Sequence, residues 1–252
     1  MNPKGKKMIG VVGGMGPYAG LDLARKIFDL TKANKDQDHV SLALISEPSR
    51  IEDRTRFILG ETEINPGIEI AKIVRQLAGQ GATVIGMPCN TAHSSKIINE
   101  IYRSMPKNTF FVNMIYEVIR FIDLNYSKVK RIGILATSGT INSGVYSKEL
   151  EKNNFHPVLL SKQDQKNLVD KAIYNKKIGI KSKSDPVHRD AIEKLNLAIE
   201  KLITEKPDII ILGCTEIPLA IKSKVYNSIP LIDSTEVLAL SLLKKSMGIT
   251  KV

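Results

Sequence analysis

Two cysteines, Cys89 and Cys214, are the reactive groups of this chain, and both occupy the same kind of setting. Met87-Pro88-Cys89-Asn90-Thr91-Ala92-His93 follows an apolar run at 83–85, and Gly213-Cys214-Thr215-Glu216-Ile217-Pro218 follows another at 208–212. Each run reads as a buried strand that breaks at a small polar cluster before a helical pattern resumes. The thiolate is the active form of cysteine. Its ordinary pKa is near ~8.5 and falls beside cations and helix N-termini. Two thiols facing each other across a cleft suit inversion at a carbon: one removes a proton while the other delivers one. Asn90, Thr91 and Thr215 add donors fitted to a carboxylate or an amine. Taken alone, either cysteine also fits an inert core position. The repeated setting, each with a threonine close behind, argues against that reading.

Composition narrows the alternatives. A chain of 252 residues suits one large or two small domains, and at that size it needs no disulfide staple. There is no C-x-x-C and no Cys/His spacing for zinc, so no metal is expected. The net charge is +11, but Lys and Arg are interspersed with Asp and Glu, aromatic residues are 5% and Trp is absent. Nucleic-acid binding is therefore not expected; the charge reads as solvated surface, with a remainder that steers small anions into a cleft. No apolar run reaches membrane-spanning length. Lys4, Lys6 and Lys7 ahead of residues 8–15 read as a strand entering a glycine turn, not as a signal peptide, which predicts a cytoplasmic protein.

The elements that must position the thiols recur in two copies. Strands are expected at 7–12, 40–45, 83–85 and 109–112, then at 131–135, 156–160, 208–212 and 229–232. Helices are expected from Pro17, from Asn65-Pro66, over 94–104, from about Ser143, over 163–174, along the face Ile192, Leu195, Ala198, Ile199 and Leu202, and over 234–246. Residues 51–55 read as a polar loop and 176–185 as a basic one. Ile9-Gly10-Val11-Val12 is repeated by Ile132-Gly133-Ile134-Leu135, Cys89 by Cys214, and Phe111-Val112-Asn113 by Leu231-Ile232-Asp233. The near-constant offset of these three pairs marks an internal duplication of one α/β unit. Alternating strands and helices imply parallel sheets, whose ligand sites lie beyond the carboxyl ends of the strands.

These motifs resemble those of the aspartate/glutamate racemase family, the cofactor-independent amino-acid racemases. Besides the two cysteine motifs, Gly13-Gly14-Met15-Gly16-Pro17 is similar to the family's N-terminal loop, Asp53-Arg54-Thr55 to its arginine loop and Gly179-Ile180-Lys181 to its lysine loop. The likeness spans nearly the whole chain. It implies an α/β fold of two pseudo-symmetric three-layer domains, each a short, mostly parallel sheet flanked by helices, with the active site in the cleft between them. The two sheets are expected to exchange an edge near the crossover. The expected division is 1–106 with 227–252 on the Cys89 side, and 107–226 on the Cys214 side.

The resemblance further implies racemisation of an acidic amino acid, aspartate before glutamate, without pyridoxal phosphate or metal, by a homodimer. Carried over by position, Cys214 takes the α-proton of the L-isomer and Cys89 that of the D-isomer. Arg54 and Lys181 then hold the side-chain carboxylate, and Thr137, Ser138 and Thr140 donate to the α-carboxylate. Met15 and Ser46 complete the expected substrate site. Glu216 tunes Cys214 or caps a helix, and His93 packs. Maleate isomerases and arylmalonate decarboxylases share the scaffold and supply the alternative chemistry, while a non-catalytic anion-binding protein is the remaining one.

Overall fold

Runs of Ile, Val and Leu become the strands, and the computed structural model describes them within residues 7–249. Lys4, Lys6 and the outermost residues of the expected first domain lie outside the described residues. The first repeat comprises β1 (Met8–Gly13), α1 (Pro17–Leu30), β2 (Leu42–Ser46), α2 (Arg54–Leu59), α3 (Gly67–Gly79), β3 (Ala82–Gly86), α4 (Ser95–Arg103) and β4 (Phe110–Val112). Then follow α5 (Met114–Asn125), β5 (Arg131–Leu135), α6 (Ser138–Ser143), α7 (Ser147–Lys152) and β6 (His156–Val158). A continuous helical stretch is built from α8 (Lys162–Asp164), a π-helical turn (Gln165–Asp170) and α9 (Lys171–Tyr174). The chain ends with α10 (Arg189–Thr204), β7 (Ile209–Leu212), α11 (Ile217–Ala220), β8 (Val225–Tyr226), β9 (Ile229–Asp233) and α12 (Ser234–Ser246).

The strands form two sheets, ordered β2-β1-β3-β4 and β6-β5-β7-β9-β8. All pairs are parallel except the short β8–β9 ribbon. The first four strands of each sheet correspond one to one, as the duplicated sequence pattern requires. In each copy the chain leaves the first strand toward one edge and later returns to its other side. The carboxyl ends of β1 and β3, and of β5 and β7, are therefore topological switch points, where a crevice opens.

Strand pairing differs from the expected domain division. β4 pairs with β3, and β9 pairs with β7, so residues 110–112 belong to the first sheet and 229–233 to the second. No edge strand is exchanged; the helices are. α5 carries Ile115, Val118, Ile119 and Ile122 onto Ile132, Ile134, Ile209 and Ile211 of the second sheet. α12 carries Leu238, Leu242 and Leu243 back onto Ile9, Val11, Val84 and Val112 of the first. The crossovers are matched: Asn113 caps α5 by accepting from the Ile115 and Tyr116 amides, and Asp233 caps α12 by accepting from those of Thr235 and Glu236. α12 lies so close over β3 that a Cβ on Gly86 would stand 2.7 Å from Leu242 Cδ1.

Three local expectations are corrected. α5 was not anticipated, although its buried positions have helical spacing, because its β-branched and aromatic residues look like a continuation of the strand before them. The polar loop at 51–55 contains the start of α2, whose first turn is capped by Asp53 accepting from the Thr55 and Arg56 amides. The helix expected from about Ser143 is two short ones, α6 and α7, separated at Gly144 in the left-handed conformation. No helix among the described residues is long and apolar enough to cross a membrane.

Candidate active site

Both thiols line one cavity, Cys89 contributed by the loop after β3 and Cys214 by the loop after β7. Each is free, and each is 6% exposed. The expected support from helix N-termini is slight, since a three-residue turn (Thr91–His93) follows Cys89 and the four-residue α11 follows Cys214. Burial pushes the Cys214 thiol well above its ordinary range, and the Glu216 carboxylate adds to the shift while Lys181 opposes it. A lowered Cys214 pKa is thus not what the free protein holds. Its Sγ–H donates to Glu216 Oε2 at 3.1 Å.

Contacts between the two repeats close the cavity. Thr91 and Thr140 meet hydroxyl to hydroxyl at 2.8 Å, with Thr137 at 3.4 Å from Thr140. Thr215 donates to the Pro88 carbonyl at 3.2 Å. Asn90 accepts from the Tyr146 hydroxyl at 2.7 Å and reaches Ser234 at 3.4 Å. Thr55, on α2, bonds the Tyr174 hydroxyl on α9 at 2.9 Å. α2 approaches α6 so tightly that a Cβ on Gly139 would come within 2.3 Å of Thr55 Oγ1. The space left between these groups is about 20 Å³, room for a single water. A larger chamber of about 400 Å³ adjoins it, and Arg54, Lys181 and Glu216 line both.

Two cations face this space, Arg54 buried and Lys181 partly exposed. Arg54 opens α2 and is 8% exposed; its guanidinium donates to the Glu52 carbonyl at 3.2 Å, and its Nε has no partner. Burial works against its charge, but Cys89, Asp53 and Glu216 outweigh that and hold it above its ordinary pKa. Lys181 is brought in by a turn that folds back on α9, the amides of Ile180 and Lys181 donating to the carbonyls of Ala172 and Ile173. It pairs with Glu216 at 2.9 Å and lies 5.9 Å from the centre of the Tyr174 ring. Burial disfavours the Lys181 charge too, and Glu216 reverses the outcome, leaving Lys181 above its ordinary value. Burial would raise Glu216, but Lys181 pulls it below the usual carboxylate range.

Of the residues expected from sequence, Met15, Arg54, Asn90, Thr91, Thr137, Thr140, Lys181, Thr215 and Glu216 line the thiol cavity with Cys89 and Cys214. Ser46 does not. It is exposed at the end of the edge strand β2, paired with Gly13. Ser138 serves the site indirectly: its amide donates to Asp170 at 2.9 Å and its hydroxyl to the other oxygen of that carboxylate. His93 packs as expected. It lies between the Cys89 carbonyl, 2.9 Å from Nδ1, and the Met114 amide, which donates to Nε2 at 3.2 Å. Burial lowers its pKa to about 4, so the ring is neutral. Tyr174 carries no sequence signal that separates it from an ordinary helix residue, and Thr55, part of the arginine-loop motif, has no expected role of its own, yet both line the cavity. Among the described residues, no group of three His, Cys, Asp or Glu side chains is placed to ligate a metal.

The family model for Asp/Glu/Hydantoin racemase matches residues 12–242. In structure, the chain is similar to Picrophilus torridus aspartate racemase, with a TM-score of 0.77 and 31% identity over 96% of this chain and 94% of that one. It is also similar to an aspartate racemase homologue from Pyrococcus horikoshii OT3, with a TM-score of 0.72 and 23% identity over 95% of this chain and 99% of that one. In sequence, it is 27% identical over 197 residues to a glutamate racemase of Persephonella marina, covering 75% of this chain and 67% of that protein. The chain thus belongs to the Asp/Glu/Hydantoin racemase family, as an enzyme of the amino-acid racemase kind.

Proposed function

We propose that the protein interconverts L- and D-aspartate through its two thiols, without pyridoxal phosphate. The observation that carries this reading is the shared cavity: free, buried Cys89 and Cys214, one from each repeat, open onto the same small space beside Arg54 and Lys181. The unpartnered Arg54 Nε and the Lys181 ammonium suit a side-chain carboxylate, for which a planar guanidinium offers paired donors. The threonine hydroxyls of both repeats suit the α-carboxylate. Aspartate is preferred over glutamate because the 31% identical structural relative is an aspartate racemase.

In the L-to-D direction, Cys214 gives up its proton toward Glu216, its hydrogen-bond acceptor, and the resulting thiolate takes the α-proton. The electron pair left on the α-carbon spreads into the adjacent carboxylate, where donors and cations oppose the added charge. The Cys89 thiol then delivers a proton to the other face, and after the product leaves, Glu216 gives its proton to solvent and the Cys89 thiolate takes one up, which restores the starting forms. The reverse direction exchanges the two roles. The reading includes a homodimer, to be checked by sedimentation, and a reducing compartment such as the cytoplasm, in keeping with two unpaired cysteines.

The test is incubation of L-aspartate with the protein in heavy water, followed by chiral chromatography and mass spectrometry. D-aspartate carrying deuterium at the α-position is the expected product, with Cys89→Ala and Cys214→Ala both failing to form it. L-aspartate recovered unchanged and undeuterated from the wild type would refute the proposal.

A further inference from the structure

Glu216 is 4% exposed, and its carboxylate is fully engaged. Oε1 accepts from the Gly16 amide at 3.1 Å and from Lys181 at 2.9 Å. Oε2 accepts from Cys214 at 3.1 Å and lies 3.4 Å from the Thr215 hydroxyl, whose one proton it shares with the Pro88 carbonyl. An ammonium, a main-chain N–H from the turn entering α1, a thiol and a hydroxyl make up the kind of donor set that an anionic ligand would use. Arg54 faces the same space with its Nε unpaired. Lys181 and Glu216 stand where the thiol cavity, about 20 Å³, meets the outer chamber, about 400 Å³. A ligand reaching the thiols from that chamber meets this pair on the way.

We infer that Glu216 is an internal stand-in for the ligand's distal carboxylate: it holds Lys181 in the free protein, and an acidic ligand enters by taking Lys181 over from it. The inference rests on the reading of Arg54 and Lys181 as the carboxylate cradle. It makes Glu216 a specificity-determining residue. An amino acid with a neutral side chain brings no second anion to exchange for Glu216, so Lys181 stays engaged and the cavity stays shut. A dicarboxylate replaces one Lys181 ion pair with another and gains the unused Arg54 donor besides. Charge-assisted hydrogen bonds of this kind are about twice as strong as neutral ones, so the exchange decides which ligands enter.

The test uses succinate, a dicarboxylate that has no amine and no stereocentre, so its binding is independent of turnover. Calorimetry should find that wild-type protein binds succinate at least about tenfold more tightly than butyrate, which has the same chain length and one carboxylate. Glu216→Gln keeps an acceptor for Gly16 but releases Lys181, and should bind succinate at least about tenfold more tightly than wild type, or about 1.4 kcal/mol. Should the variant fold poorly, the wild type supplies its own readout: the Gly16 amide resonance should move on saturation with succinate as its bond to Glu216 breaks, and stay in place with butyrate.

Equal or weaker succinate binding by Glu216→Gln overturns the inference, as does a Gly16 resonance that ignores succinate or follows butyrate equally. Absence of succinate binding overturns it too. Racemisation of L-aspartate by the wild type is read separately, so a working racemase that fails these binding tests leaves the proposed function standing and removes only the stand-in.

Discussion

Gly86 and Leu242 allow the helix exchange and its bearing on Cys89 to be tested together. Leu242 is fully buried on α12, and truncating such a leucine to alanine costs about 2–5 kcal/mol. Gly86→Ala would set a methyl 2.7, 3.0 and 3.2 Å from Leu242 Cδ1, Cδ2 and Cγ, closer than ordinary contact. Overpacking of that kind costs about 1–3 kcal/mol. All three clashing atoms belong to the side chain that Leu242→Ala removes. In the double variant the Gly86→Ala penalty should therefore vanish, giving a coupling of about 1–3 kcal/mol across the two elements.

For a chain of this size each kcal/mol moves Tm by about 2–4 °C, which calorimetry resolves. Gly86→Ala alone should lower Tm, and the double variant should melt close to Leu242→Ala. Gly86 stands three residues before Cys89, so the single variant should also lower kcat/KM on L-aspartate by about tenfold or more, because small displacements of reacting groups are costly. The double variant should recover part of that loss. Effects that add to within about 0.5 kcal/mol would refute the packing of α12 over β3, and with it the exchange of helices between the sheets.

Tyr174→Phe removes the hydroxyl that joins α9 to Thr55; it should cost about 0.5–1.5 kcal/mol in denaturant melts and raise KM for aspartate more than it lowers kcat. Asp170→Asn weakens the acceptor that fixes Ser138, and with it the turn bearing Thr137 and Thr140, so kcat/KM should fall by roughly tenfold with only a small change in Tm. The Cys214 thiol holds its proton more tightly folded than an unfolded cysteine does at ~8.5, so the folded state binds more protons above that pH. Stability from this group is complete below ~8.5 and is lost as pH rises toward the folded pKa. Peptide mapping after brief iodoacetamide treatment should accordingly find Cys214 alkylation slow near neutrality and rising through the alkaline range, with Glu216→Gln moving the rise to lower pH.

The repeat, the eight main strands and the paired thiols were legible in the sequence because short apolar runs with glycine-rich breaks leave a strong local signature. The partner of an apolar helix face has no such signature. The spacing of Ile115, Val118, Ile119 and Ile122 says that α5 is buried on one side, and nothing in it says that the second sheet supplies the cover. The choice of Lys181 among the lysines of its loop is equally non-local. Lys176, Lys177 and Lys183 are exposed, and Lys181 is turned inward by main-chain bonds to α9 that composition does not encode. Ser46 fails for the complementary reason: it is polar and ends a strand of the right kind, but that strand is the sheet edge, one position removed from the switch point.

Because α12 completes the first sheet's core, the earlier-made half waits for a segment made more than a hundred residues later. On the ribosome, Ile9, Val11 and Val84 leave the tunnel long before Leu238 and Leu242 arrive to cover them. The first half cannot complete its core alone during translation, and contacts this distant in sequence slow the closing step. The first half is expected to complete its core only after α12 has emerged, and a product truncated before residue 234 would present an uncovered apolar sheet face to the chaperones that meet it.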